Sequence, residues 1–457
     1  WQVLAAEPNR QFYEDGGSTE QSTSYHHYCL GFFLLAMLTR QRQGKTVPDG
    51  MLRRIEAAFD FSMWMTQPDG EMPRIGDADD ARSIRLGAVP TWDFRNLLSV
   101  GAAVFRRSDM KAVAGSFSED ALWLLGEPGH HVYQELPVLT PRETLRVFSK
   151  SGYAVLRSGW GPRDHHLCFD CGPIGFGLRS RDVPLFSHGH ADMLSFTLSA
   201  FGHPLIVDSG FYTFNGSPDW HRYCRDVQGH NTVRVDEASQ AKFSIADAWS
   251  CVASPGTIRW RSNEHTESVE GSHCGFYGVA GQVCHQRAIV WNRDSCWLIV
   301  DRLEGEGEHL VEVFFHFCPG RGQVLLTGDG IALETDEHTH AVLKLLEPNH
   351  LSTELRTGAA EPDGGWIATS YGGHKQAPLV RFHGRLQLPV SLAFALVPSL
   401  TKLELLAFER LPVHDGRKRP AEERVNYRIC CGMTEEPLEF AWDCPVGSER
   451  LSTQGSP

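Results

Sequence analysis

The chain has 457 residues, more than one hydrophobic core usually serves, so two domains are the default and each can bury a sizeable interior. Its 43 Lys and Arg against 56 Asp and Glu leave a net charge of −13, which excludes general nucleic-acid binding and a basic membrane-surface role, because both need positive potential. The hydrophobic fraction of 41% is that of an ordinary globular protein, and no apolar run reaches the roughly eighteen residues that a membrane-spanning helix requires.

The chain opens on Trp1-Gln2-Val3 with neither an initiator Met nor the basic, apolar and small-residue succession of a signal peptide, so it reads as a fragment or a processed form. Residues 1 to about 140 read as helical. After the turn Glu14-Asp15-Gly16-Gly17, Ser22 or Thr23 can cap a helix whose apolar residues Leu30, Phe33, Leu34, Met37 and Leu38 recur at three and four. Met51 to Met65 repeats the pattern, Gln67-Pro68-Asp69-Gly70 breaks it, Phe94 to Phe105 resumes it, and a short segment follows near Asp120 to Leu125. The acidic loop Ile75-Gly76-Asp77-Ala78-Asp79-Asp80 lacks the later Glu of an EF-hand, so a hydrogen-bonded loop is expected rather than a calcium site.

From about Phe148 the apolar period changes to two, in Tyr153–Arg157, Leu194–Leu198, Ala288–Trp291, Cys296–Val300, Leu310–Phe317 and Leu392–Val397. Short strands separated by Gly, Pro and Asp turns imply an antiparallel sandwich. Cys168-Phe-Asp-Cys171 lies in one of these strands, where an offset of three sends the two thiols to opposite faces and argues against a zinc ribbon or redox pair. The cysteines read as free buried thiols, which fits a reducing compartment without proving one. Beyond Leu411 the polar run Asp415 to Arg424 and the unpatterned end after Pro445 read as a loose tail.

The densest chemistry runs from Phe186 to Asn231. His188 and His190, two apart in Phe186-Ser187-His188-Gly189-His190-Ala191-Asp192, present both imidazoles to one side if they enter a strand, and Asp192 continues the row. Met193 to Ala200 reads as a strand, Phe201-Gly202-His203-Pro204 as a turn and Leu205 to Asp208 as the returning strand. His190, Asp208 and His230 then have the donor chemistry of a zinc site with three protein ligands, and His188 is left for acid/base work.

These residues carry a resemblance. His188-Gly189-His190-Ala191-Asp192, Val207-Asp208-Ser209-Gly210, Tyr212-Thr213-Phe214-Asn215-Gly216, His230-Asn231-Thr232-Val233 and Val235-Asp236 resemble the block that marks the heparinase II/III-like polysaccharide lyases, and Glu20-Gln21-Ser22-Thr23-Ser24-Tyr25-His26 resembles the family's segment with the catalytic tyrosine. The resemblance implies an α+β chain in two domains, a partial α/α toroid over residues 1–140 and an antiparallel β-sandwich over 141–457. It implies one mainly structural zinc on His190, Asp208 and His230. Tyr25 would be the base and acid on the leaving-oxygen side, and His188 the carboxylate neutraliser or partner base. Tyr223 is either a second catalytic tyrosine or a core aromatic. Arg82, Arg181 and Arg222 are candidates to bind an anionic polysaccharide. The family's cleft also uses an Asn or His upstream of the tyrosine segment, in a stretch that would precede Trp1, so no residue here is given that role.

The activity implied is β-elimination on a uronic-acid polymer, with heparan-type, alginate and glucuronan chains all open. Two other readings stand beside it: a zinc-dependent hydrolase, and a carbohydrate-binding or exopolysaccharide-assembly protein without turnover. A bacterial source with a periplasmic or cytoplasmic location is expected, and a homodimer is left open.

Overall fold

The computed structural model describes residues 1–401 apart from 176–178, 181–182, 185–187, 244–248, 294–295, 321, 328–329, 335–339, 347–350, 359–361 and 363, and beyond these the strands Ala407–Arg410, Arg424–Cys430 and Leu438–Asp443. Helices fill the first part, as the period of three and four predicts. Ser22 takes the N-cap of helix Thr23–Arg42 by accepting the Tyr25 N–H, and Leu30, Phe33, Leu34, Met37 and Leu38 form its buried stripe. Helix Asp49–Met65 buries one face along Met51, Ile55 and Phe59, then buries Phe61, Met63, Trp64 and Met65 on all sides. Helices Arg95–Phe105 and Ser108–Ala114 follow. The expected short segment at Asp120 is the first half of Glu119–Glu135, broken at Gly126 with φ of 66° and holding Pro128. No helix among the described residues is long and apolar enough to cross a membrane.

From Leu145 the described chain is mainly strands, interrupted by the helix Pro218–Arg225. Leu145–Phe148, Tyr153–Arg157, His166–Asp170, Phe196–Ala200 and His203–Ile206 form a five-stranded meander, and a second sheet is built on two long strands, Cys296–His316 and Leu379–Ser399. Both sheets pair antiparallel throughout. The smaller sheet is buried on both faces, which explains why every residue of Tyr153–Arg157 is inside. Tyr153 and Val155 pack into the helical core, where the Phe61 ring meets Phe148 and Tyr153 at 5.0 and 5.6 Å, while Ala154 and Leu156 join the core shared with the large sheet. Cys168 falls on the helical side and Cys171 on the other, as their offset predicts. The expected strand from Met193 begins only at Phe196, and its partner ends at Ile206 rather than Asp208, because the chain turns at both ends to build the site.

One reading of the thiols is corrected. Cys274 and Cys284 form a disulfide across the turn between strands Thr266–His273 and Cys284–Asn292. The ladder register explains it: His273 stands opposite His285, so the next position outward places Cys274 opposite Cys284.

The sandwich core holds a buried ion pair. Arg287 sets Nε and Nη2 on the two oxygens of Asp301 at 2.7 and 2.9 Å, and its Nη1 donates to the carbonyls of Leu194 and Asn231. His285 Nε2 is 2.7 Å from the same carboxylate. Burial alone would raise the Asp301 pKa, but Arg287 and His285 hold it down to about 2. A depressed folded-state pKa gives stability that is complete above the unfolded Asp value of about 3.9 and fades as the pH falls through about 2. Asp301→Ala strands the guanidinium and should cost about 3–5 kcal/mol in urea unfolding, whereas Arg287→Met with Asp301→Leu should recover most of that loss.

Candidate active site and metal centre

The site begins where helix Thr23–Arg42 meets the loop 73–78. Ser22 Oγ donates to the Asp77 carbonyl at 2.7 Å while capping the helix, and Thr23 Oγ1 donates to the Pro73 carbonyl at 2.7 Å. Gly76 makes this approach feasible: its φ is +74°, and a Cβ there would sit 2.5 Å from the Gln21 carbonyl oxygen. Tyr25, in the first turn, is thereby fixed toward the sandwich.

Residues 188–190 form no strand, yet both imidazoles converge on one carboxylate. His188 Nδ1 lies 3.2 Å from Asp77 Oδ2 and His190 Nε2 lies 2.9 Å from Asp77 Oδ1, while the Asp77 N–H donates to the His188 carbonyl at 2.9 Å. Arg225 Nε approaches Asp77 Oδ1 at 3.6 Å. Burial would raise the Asp77 pKa, but the Arg225 charge and the two histidine hydrogen bonds take it well below the carboxylate range. For His188, burial lowers the pKa, but the hydrogen bond and charge of Asp77 and the charge of Glu20 bring it above the ordinary value. The Tyr25 and His188 rings stand 4.4 Å apart at 45°. They line an open cleft of about 290 Å³ together with Gln11, Glu20, Tyr28 and Phe32. Burial, then Asp79, Asp77 and Glu20, keep the Tyr25 phenol above its usual pKa, so its resting form holds the proton.

Behind His188 the chain is closed. His190, Asp208 and His230 are all buried, with His230 Nδ1 2.7 Å from Asp208 Oδ2 and the two imidazole centroids 5.2 Å apart. The donor atoms that gather are one each from His190, Asp192 and His230, within 4.8 Å of one another. The placement departs from the expected set: Asp208 is engaged on the far nitrogen of His230, and Asp192 comes in as the carboxylate. His190 Nδ1 and His230 Nε2 are buried without a hydrogen-bond partner among the described residues. Each histidine thus offers one nitrogen inward and sets the other on a carboxylate, Asp77 or Asp208, which is how proteins orient metal-binding imidazoles. Charge points the same way. Burial and the neighbouring Asp170 push the Asp192 pKa far up, and although burial opposes it, Asp208 raises His230 to about 9, so carboxylates are in excess and a cation would relieve them. These residues fit a zinc ion by donor chemistry.

Asn231 locks the loop that carries His230. Its Nδ2 donates to the Phe196 and Val207 carbonyls at 2.9 and 2.8 Å, and its Oδ1 accepts the His316 N–H at 2.7 Å. The remaining candidates fall elsewhere. Arg82 Nη2 donates to the carbonyls of Pro90, Thr91 and Asp93, each at 2.7 Å, and its guanidinium stacks 4.3 Å over Phe94, so it braces a loop. Arg222 is exposed, 5.7 Å from the Phe243 ring centroid. Arg181 lies outside the described residues. Tyr223 is 1% exposed and donates its hydroxyl to the Trp366 carbonyl at 3.1 Å, which is the core role of its two readings.

Sequence reasoning gave Asp77 and Glu20 no role in the site and offered Arg225 only as part of a basic patch for a polyanion. Arg225 comes from a helix it also missed, Pro218–Arg225, whose signal was present in Ser217 as N-cap, Pro218 at the first position and Asp219 in the first turn.

Residues 140–406 match the family description "Heparinase II/III-like, C-terminal", and residues 1–92 match "Heparinase II/III N-terminus". A heparin-sulfate lyase of Bacteroides thetaiotaomicron is 23% identical over 345 residues, covering 74% of this chain and 44% of that protein. One of Bacteroides stercoris is 22% identical over 377 residues, covering 81% and 48%. The chain therefore spans about half the length of the curated relatives it matches. Among solved structures, a heparan sulfate lyase from Pedobacter heparinus superposes with a TM-score of 0.72 at 15% identity over 97% of this chain and 61% of that one, and a heparinase III with 0.74 at 17% identity over 97% and 62%. At that identity the likeness concerns the fold. Because Tyr223 is a core residue, Tyr223→Phe should lose the hydrogen bond to the Trp366 carbonyl and cost about 1 kcal/mol in denaturant unfolding.

Proposed function

The chain belongs to the heparinase II/III family, and we propose that it is a polysaccharide lyase that cleaves a heparan-type uronic-acid polymer by β-elimination. The observation that carries this reading is the pairing of Tyr25 with His188 in an open cleft, one a protonated phenol and the other an imidazole held by a carboxylate. His188 Nε2 takes the proton from the carbon beside the uronate carboxyl. The electrons of that C–H bond form the double bond to the next ring carbon, whose bond to the glycosidic oxygen breaks. Tyr25 gives its proton to that oxygen as it leaves, so the proton count balances across the pair. Heparan sulfate is our choice of substrate because both curated relatives are named as heparin-sulfate lyases. The helical layer is read as part of an α/α toroid, and of the two expected compartments the Cys274–Cys284 disulfide favours the oxidising periplasm.

We further propose one zinc, held by His190, Asp192 and His230, with Asp208 orienting His230. It ties the His190 loop to the His230 loop and is structural; the proton transfers belong to Tyr25 and His188. Metal analysis of the purified protein should find close to one equivalent. His190→Ala or His230→Ala should remove the metal and lower the thermal midpoint, and Asp208→Asn should weaken zinc affinity by about 10- to 100-fold. Protein that carries no zinc would remove this assignment and leave the lyase reading intact.

His188→Ala and Tyr25→Phe should each lower elimination of heparan sulfate by about 10²-fold or more while the thermal midpoint holds. The readout is the ultraviolet absorbance of the unsaturated uronate. New reducing ends without that absorbance would indicate hydrolysis, binding without either product would indicate a recognition module, and parental rates in both variants would end the lyase mechanism.

A further inference from the structure

Asp77 comes from the helical layer and is 1% exposed, and it does not itself line the open cleft. Its two oxygens divide the neighbouring imidazoles between them, Oδ2 facing His188 Nδ1 and Oδ1 facing His190 Nε2 and Arg225 Nε. The backbone adds a second tie, since the Asp77 N–H holds the His188 carbonyl. A carboxylate can only accept, so the nitrogen that faces it must carry the hydrogen. For a neutral imidazole that fixes the tautomer, and the other nitrogen is left as the acceptor.

We propose that Asp77 is the positioning residue of this site: it fixes His188 as the Nδ1–H tautomer and thereby leaves Nε2 unprotonated for substrate. This rests on His188 being the base in the reading above. The same residue holds the His190 Nε2–H, whose other nitrogen faces inward, so one carboxylate sets the tautomer of both the acid/base histidine and a candidate metal ligand.

The two oxygens are separable by chemistry. In Asp77→Asn the amide has one acceptor and one donor end. Arg225 and the His190 Nε2–H are both donors and claim the oxygen, so the NH₂ turns to His188 Nδ1. That reverses the His188 tautomer alone. Its Nε2 then carries the hydrogen, and no base faces the cleft. A carboxylate lost behind a catalytic histidine in this way costs about 10²- to 10⁴-fold in turnover.

The test uses the whole protein with heparan sulfate as the probe. Asp77→Asn should lower kcat by about 10²-fold or more and leave KM within about threefold, while the protein stays folded with metal bound at an affinity weakened by about 10- to 100-fold, as for Asp208→Asn. Long-range proton–nitrogen spectra of histidine-labelled protein, assigned with His188→Ala, should show His188 as Nδ1–H in the parent and Nε2–H in the variant. Parental kcat in Asp77→Asn beside a dead His188→Ala overturns the proposal, as does a parent spectrum with hydrogen on Nε2, which decides the question even if the variant does not fold. Loss of metal and fold together in a soluble Asp77→Asn makes the residue a scaffold and equally overturns it. Full turnover in His188→Ala instead refutes the catalytic role of His188, and the parent spectrum still reports separately on the tautomer.

Discussion

A carboxylate taken completely out of water costs several kcal/mol unless charges and hydrogen bonds replace its hydration, and Asp77 is in that position. Among the described residues, the groups that compensate it come from the other layer: two imidazoles from the His-Gly-His turn and a guanidinium from the helix that ends at Arg225. Neither layer could bury its half of this cluster alone. The helical loop would carry a bare anion, and Arg225 would lose one carboxylate from its surroundings. The Ser22 bond to the Asp77 carbonyl carries the constraint one step further, because the cap it makes also sets where Tyr25 leaves the helix.

The rear of the site is held in a complementary way. Arg287 reaches from the large sheet to the carbonyls that follow the two histidine loops, at Leu194 and Asn231, while Asn231 spends all its amide capacity on Phe196, Val207 and His316. His190 and His230 lie far apart in the chain, but each is anchored by a saturated polar group in the sandwich core. The inward nitrogens are therefore set before any ligand arrives, which is what preorganisation of a metal or reaction site demands.

Much of this was legible because it is local or periodic. The Ser22 cap, the buried stripe from Leu30 to Leu38, the change of period near Phe148 and the opposed faces of Cys168 and Cys171 all follow from geometry within a few residues. The spaced motif of His188, His190, Asp208 and His230 was also legible, and the fold brings these residues together. Asp77 was not visible as a partner, because its contacts lie more than a hundred residues away and a loop residue has no period to betray which face it presents. The exchange of Asp208 for Asp192 near the inward nitrogens is a matter of register: the strand stops at Ile206, and a turn of two residues redirects the carboxylate. Tyr223 and Arg82 show the converse limit, since a phenol and a guanidinium satisfy buried carbonyls as readily as they meet a sugar.

The five-stranded sheet has a consequence for how such a chain can be taken apart. Its alternating residues serve two cores at once, so the seam between helices and strands runs through the side chains of single strands and not through a linker. Cutting the chain near residue 140 would expose Tyr153, Val155 and Cys168 on one piece and the aromatic face around Phe61 on the other. The two halves are thus one cooperative unit despite their different secondary structure. Exchange of either half between relatives would succeed only where the facing residues of that sheet travel with it.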